Sequence, residues 1–363
     1  MTSEADPSGA DGDALWAAAS RAAVEVNIRF GHRLMGLPGT WIGAAAVPPA
    51  QRQTPWSAWD YWWQAQYLDA VLDAGFRGLD RNHCPREPDS RMQATDALAQ
   101  ARDLLRGILV RNFGRFPNYF FDDMAWLALA AGRLNALSRR VTGRPFALAT
   151  RAESTLGAQL ARGHDMVLGG GIYWSRKRDF KNTPANGPAA LFFARTGEHA
   201  RARAIVDWLR SELFDPELGL YLDGVHPAAH PSKTAPEVER TLYTYNQGPI
   251  LAALLELDHP AYVSHAAELI AAVDHHLTVP TQDGKRPLRL EPGADGSLFT
   301  GILVRYLALA SADARLPDAA RAQAGRLVRA TAASLPPQGP DELLSAAVQR
   351  WTIAEAAATH QPQ

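Results

Sequence analysis

The chain holds a single cysteine, Cys84, which excludes an intrachain disulfide and any paired-thiol metal or redox motif. Lysine is nearly as scarce, appearing only at Lys177, Lys181, Lys233 and Lys285, so arginine supplies most of the 37 basic residues. These balance 38 acidic ones to a formal net charge of −1, without the basic excess that a nucleic-acid partner calls for. No apolar run reaches the roughly 18 residues of a membrane span. Met1 to Asp13 is small, polar and acidic, with no basic segment leading into an apolar one. No export signal is visible, and the expected compartment is the cytoplasm. Nucleotide loops of the GxGxxG or GxxxxGK[ST] kind are missing, as are HExxH and GxSxG. A phosphate-binding loop, a zinc site and a serine-hydrolase elbow are therefore not expected.

What the chain does have is helical periodicity almost throughout. It predicts helices near 12–36, 55–76, 91–112, 119–139, 146–164, 186–197, 199–213, 246–257, 261–277, 298–312, 316–334 and 341–358. Tight turns recur about 60 residues apart, around Arg195-Thr-Gly-Glu, Leu257-Asp-His-Pro and Ala312-Asp-Ala-Arg, as expected for repeating helix pairs. Twelve helices in pairs make either an open solenoid or an all-α, (α/α)6 toroid. The expected organisation is a disordered tail over 1–12, one helical domain over 13–358 and a short tail over 359–363.

The chain also has ten tryptophans, and four segments concentrate the aromatic and polar chemistry. Trp56-Ser-Ala-Trp59-Asp-Tyr-Trp62-Trp63-Gln-Ala-Gln66 places Trp59, Trp62, Trp63 and Gln66 on one helical stripe. That stripe serves either core packing or the stacking of sugar rings on indole faces, for which Trp63 is the candidate. Asn118-Tyr-Phe-Phe-Asp122-Asp123-Met-Ala-Trp126 sets two acids at the start of an apolar helix among four aromatics. Helix N-termini attract acids. Yet neighbours about 100° apart on a helix can also flank one bond, one ionised and the other held protonated by burial and repulsion, as glycoside hydrolysis needs. Gly169-Gly-Gly171-Ile-Tyr-Trp174 runs on to Asn182 and Asn186, where the glycines would let the backbone approach a ligand and the amides would bind or cap. Tyr243-Thr-Tyr245-Asn246-Gln247-Gly248 offers further hydrogen-bonding groups ahead of a helix.

Together these segments resemble glycoside hydrolase family 76, the endo-α-1,6-mannanase family. The resemblance rests on Phe121-Asp122-Asp123-Met-Ala-Trp126, Gly170-Gly-Ile-Tyr-Trp174 with Lys181-Asn182 and Asn186-Gly187, Leu222-Asp223-Gly224, Thr244-Tyr245-Asn246-Gln247-Gly248 and Phe299-Thr-Gly301-Ile-Leu-Val-Arg305. They occur in family order over about 55–310. The resemblance implies an (α/α)6 barrel acting on α-mannan or mannooligosaccharides with retention of configuration, and needing no metal or organic cofactor. By position Asp122 would be the nucleophile, Asp123 the general acid/base, and Asp223 an acid beside the reacting sugar. Trp174, Asn182, Asn186, Tyr245, Asn246 and Arg305 would bind substrate. Two departures stand out: Thr300 occupies a position where the family often has lysine, and the family is often exported. A sugar epimerase or isomerase on the same toroid, or a carbohydrate-binding pseudoenzyme, are the rival readings. The sequence leaves the oligomeric state open.

Overall fold

The computed structural model describes residues 7–47, 54, 57, 59–79, 87–228, 235–335 and 342–359; Trp56 and Cys84 lie outside them. Twelve α-helices run through the described residues. The odd-numbered ones are α1 (Pro7–Arg29), α3 (Glu87–Arg111), α5 (Ala147–Gly163), α7 (His199–Glu212), α9 (Pro260–His276) and α11 (Asp318–Ser334). The even-numbered ones are α2 (Tyr61–Arg77), α4 (Phe121–Thr142), α6 (Thr183–Arg195), α8 (Thr244–Glu256), α10 (Gly296–Ser311) and α12 (Leu344–Thr359).

The two sets differ in sequence because they differ in surroundings. In α6 every residue from Thr183 to Ala194 is buried, and α10 is buried from Leu298 through Ala308. A helix apolar on all sides is one enclosed by protein. In α5, by contrast, Ala149, Ala152, Leu156, Leu160 and Gly163 are buried, a stripe at the three-to-four spacing of a helix with one face in solvent. The even helices therefore form an inner ring: α2, α4, α6, α8, α10 and α12 pack in that order, and α12 returns to α2. Each odd helix from α3 on lies against the inner helix that precedes it, and α1 covers α12. The ring is closed, so the architecture is the (α/α)6 toroid.

Glycine sets how closely the inner helices approach. A Cβ on Gly248 of α8 would stand 2.8 Å from the Tyr306 ring and 3.2 Å from the Leu303 Cα of α10. The first helix ends earlier than periodicity predicts, at Arg29 rather than 36, because Gly31–His32 turns off to pair with Ile42–Gly43. Only glycine fits there, since a side chain at 31 would run into the Trp41 ring.

Buried ion pairs tie the ring together. Arg305 of α10 reaches Asp73 of α2 at 2.8 Å and Asp69 at 3.5 Å. It also donates to Gln66 Oε1 and Thr352 Oγ1, each at 3.2 Å. Arg133 of α4 pairs with Asp69 at 2.6 Å and also with Asp73. Burial alone would raise the Asp73 carboxyl, but the two guanidiniums hold it below its usual range. This lattice corrects one expectation: Arg305 does not reach the cleft that gathers the acids. It lines a cavity of about 860 Å³ towards the C-terminal ends of α2, α4, α6, α10 and α12.

Candidate active site

At the other end of the ring, where the inner helices begin, lies a cleft of about 700 Å³. Its walls carry Trp59, Asp60, Trp62, Asn118, Phe120, Asp122, Asp123, Trp126, Trp174, Phe180, Asn182, Asp223, Tyr243, Tyr245, Asp295 and Phe299. Five are carboxylates, and among the described residues no lysine, arginine or histidine lines the cleft. A cavity of this composition suits a neutral, hydroxyl-rich ligand: rings supply faces to stack on, and carboxylates accept from hydroxyls.

The paired aspartates occupy the first turn of α4, where helix N–H groups lack partners within the helix. The Asp123 N–H donates to Asp122 Oδ1 at 2.9 Å. The Trp174 indole N–H donates to Asp122 Oδ2 at 3.0 Å. Both Asp122 oxygens are thus held by neutral donors. Asp123 is buried and accepts from the Asn118 amide, whose own oxygen is fixed by the Phe120 N–H at 3.0 Å. Burial raises both carboxyls. Asp122 is pushed up to about 7, against the pull of the Asp123 N–H and the Trp174 indole. Asp123 goes well above the usual range through burial and then the Asp122 charge, with Asp295 and Asp60 adding to it. Asp122 accepts from two neutral donors and Asp123 from one, an asymmetry that favours the charge on Asp122.

Trp174 is placed by backbone pairing. The Phe121 N–H donates to the Trp174 carbonyl at 2.7 Å, and the Trp174 N–H to the Phe180 carbonyl at 2.8 Å. Beneath this loop the fully buried Lys181 ammonium donates to Asp165 Oδ1 at 2.7 Å and to the carbonyls of Val167 and Gly170. Gly171 packs on the Trp208 ring, with a positive φ that a side chain would strain. Gly170 and Gly171 therefore serve close packing on Trp208 and the Lys181 clamp, not approach to a ligand.

Among the other residues named from sequence, Asn182 lines the cleft and caps α6, its oxygen accepting from the Ala185 N–H at 3.2 Å. Asp223 lines it too and is raised to about 6, chiefly by burial, against a hydrogen bond from Asn246 at 3.2 Å. Tyr245 stacks on Phe299 with centroids 3.7 Å apart. Three residues stand elsewhere. Asn246 is buried behind Asp223 and holds it in place. Asn186 is fully buried and exchanges hydrogen bonds with the Ile172 backbone at 2.7 and 2.8 Å, stapling the loop that carries Trp174. Trp63 is 4% exposed and packs in the core, while its neighbours Trp59 and Trp62 line the cleft.

Sequence reasoning passed over Asp60 and Asp295. Each immediately precedes an inner helix, the place of an N-cap, yet neither side chain caps its helix. Asp295 instead accepts from the indoles of Trp62 and Trp63 at 3.1 and 2.8 Å. The signal was an acid at the head of three inner helices, immediately before α2 and α10 and in the first turn of α4. Among the described residues no cluster of three His, Cys, Asp or Glu side chains is placed to hold a metal ion.

A helical toroid whose mouth gathers paired carboxyls and aromatic faces, with no cation among the described lining residues, has the make-up of a glycoside hydrolase. The chain belongs to glycosyl hydrolase family 76, whose sequence model matches residues 45–338. Its structure is similar to that of an α-1,6-mannanase from a Salegentibacter species, at 25% identity and a TM-score of 0.77, over 96% of this chain and 100% of that one. That mannanase was made inactive by replacing two consecutive aspartates with asparagine and is in complex with α-1,6-mannotriose. A family 76 mannosidase of Bacteroides thetaiotaomicron has the same fold at 16% identity, with a TM-score of 0.70, over 95% of this chain and 97% of that one. No curated protein sequence matches the chain.

Proposed function

We propose that the protein hydrolyses α-1,6-linked mannosides with net retention, using Asp122 as nucleophile and Asp123 as general acid and base. The observation that carries this reading is the asymmetric pair: Asp122, its two oxygens held by two neutral donors, beside the buried Asp123, which accepts from the Asn118 amide, in an aromatic cleft with no cation among its described lining residues. In the first step an Asp122 oxygen bonds to the anomeric carbon, and the bond to the departing oxygen breaks. The Asp123 proton passes to that oxygen. In the second step Asp123 takes a proton from water, whose oxygen displaces Asp122 from the anomeric carbon and regenerates both carboxyls. Asp223 lies where it would accept from the hydroxyls of the sugar being attacked. Mannose as the substrate is supported by family membership and by the mannotriose bound to the Salegentibacter enzyme.

The test is hydrolysis of α-1,6-mannotetraose followed by proton NMR. The α-anomer is expected to appear first; first appearance of the β-anomer, or binding with no cleavage, overturns the reading. The pH dependence follows from the same pair. The reactive form has Asp122 ionised and Asp123 protonated, and protonating Asp122 removes the nucleophile. With Asp122 pushed up to about 7, kcat/KM should fall on the acid side from near neutrality, well above the pH near 4 at which an ordinary carboxylate titrates.

A further inference from the structure

We propose that Asp295 and Trp62 form the subsite that binds the leaving-group sugar, a neutral hexose, and so set how well the enzyme cleaves bonds to another sugar. The inference rests on the assignment of Asp122 and Asp123 above.

The cleft has two unlike halves. One is built by α6, α8 and the segments before them, and carries Asn182, Asp223, Tyr243 and Tyr245. The other is built at the heads of α2 and α10 and carries Trp59, Asp60, Trp62 and Asp295. The aspartate pair on α4 is shared between them. The charge of Asp223 acts on Asp122, whereas those of Asp295 and Asp60 act on Asp123. The attacked sugar sits against the nucleophile. The departing oxygen is the atom that receives the general acid's proton, so the leaving group extends past Asp123 into the α2/α10 half.

That half is built to hold a sugar. Asp295 is solvent-exposed yet fixed, because its Oδ1 accepts both the Trp62 and Trp63 indoles and the Trp63 ring is anchored in the core. Its second oxygen has no donor among the described residues and remains free to accept from sugar hydroxyls. The half-buried Trp62 ring, tilted against Phe299 at 6.1 Å, offers a face beside that oxygen. The carboxylates at this site disfavour an anionic sugar.

The experiment compares α-1,6-mannotetraose with a 2,4-dinitrophenyl α-1,6-mannobioside, whose leaving group uses neither a sugar subsite nor a proton. The readout is the ratio of kcat/KM on the two substrates. In Asp295→Ala and Trp62→Ala this ratio should fall more than about fivefold; a smaller change overturns the proposal. Asp295→Asn keeps an oxygen for the indoles, so it guards against loss of folding and should move the ratio in the same direction. A wild-type protein that cleaves neither substrate defeats the hydrolase assignment itself, a result distinct from an unchanged ratio.

Discussion

Asp122→Asn should lower turnover of α-1,6-mannooligosaccharides by about four orders of magnitude or more, and an activated aryl leaving group should not restore it. The amide cannot form the ester intermediate, however good the leaving group. Asp123→Asn should behave differently: a loss of about 10³-fold on mannotetraose, but a much smaller one on the dinitrophenyl glycoside, whose departure needs no proton. The two variants should also differ in stability. A carboxyl raised in the folded state holds its proton to higher pH than it does in the unfolded chain. It therefore costs nothing below the unfolded value near 4 and destabilises increasingly as pH rises towards its folded value. Asp123 is raised mainly by burial, and asparagine there can still accept from Asn118 without a charge to bury. Asp123→Asn should melt above wild type at pH 8 and level with it at pH 4. Asp122→Asn gains less, because an amide in that position cannot accept from both the Asp123 N–H and the Trp174 indole. Thermal unfolding at the two pH values, alongside steady-state kinetics on both substrates, reads all four outcomes.

How much of this the sequence carried depended on whether neighbours in the chain remained neighbours in space. The toroid was legible because enclosure writes itself into composition: α6 and α10 are apolar around their whole circumference, while α5 and α7 show a single stripe. Asp122 and Asp123 were legible because both catalytic candidates sit on one helical turn. The aromatic platform was only half legible. Trp62 and Trp63 are adjacent, so one faces the cleft and the other the core, and periodicity alone does not say which. Asn182 and Asn186 lie four residues apart, but Asn182 stands just ahead of the helix and lines the cleft, while Asn186 turns its amide onto the Ile172 backbone. Asp295 was hidden altogether, since its partners Trp62 and Trp63 lie more than 230 residues away. Arg305 resembled a site residue because it follows a family motif on α10. Nine residues into a helix it has travelled about 13 Å from the mouth, where Asp69, Asp73, Gln66 and Thr352 meet it.

That displacement makes Arg305→Met a discriminating experiment. Asp69 is buried and Asp73 largely so, and Arg133 and Arg305 together neutralise them. Removing Arg305 leaves two carboxylates to one guanidinium, with the Gln66 and Thr352 side chains short of a donor. Breaking one partner out of a buried ionic cluster costs about 3–5 kcal/mol, and urea unfolding should report a loss of that order. Arg305→Lys should fall between, because an ammonium keeps the charge but cannot match a planar fork that meets Asp73 through both Nε and Nη2. The folded fraction of either variant should keep the wild-type KM for mannotetraose, since no atom of Arg305 borders the cleft. A variant with wild-type stability and a raised KM would return Arg305 to the substrate. Loss of stability at constant KM instead assigns it to the frame that holds α2, α4, α10 and α12 in register beneath the site.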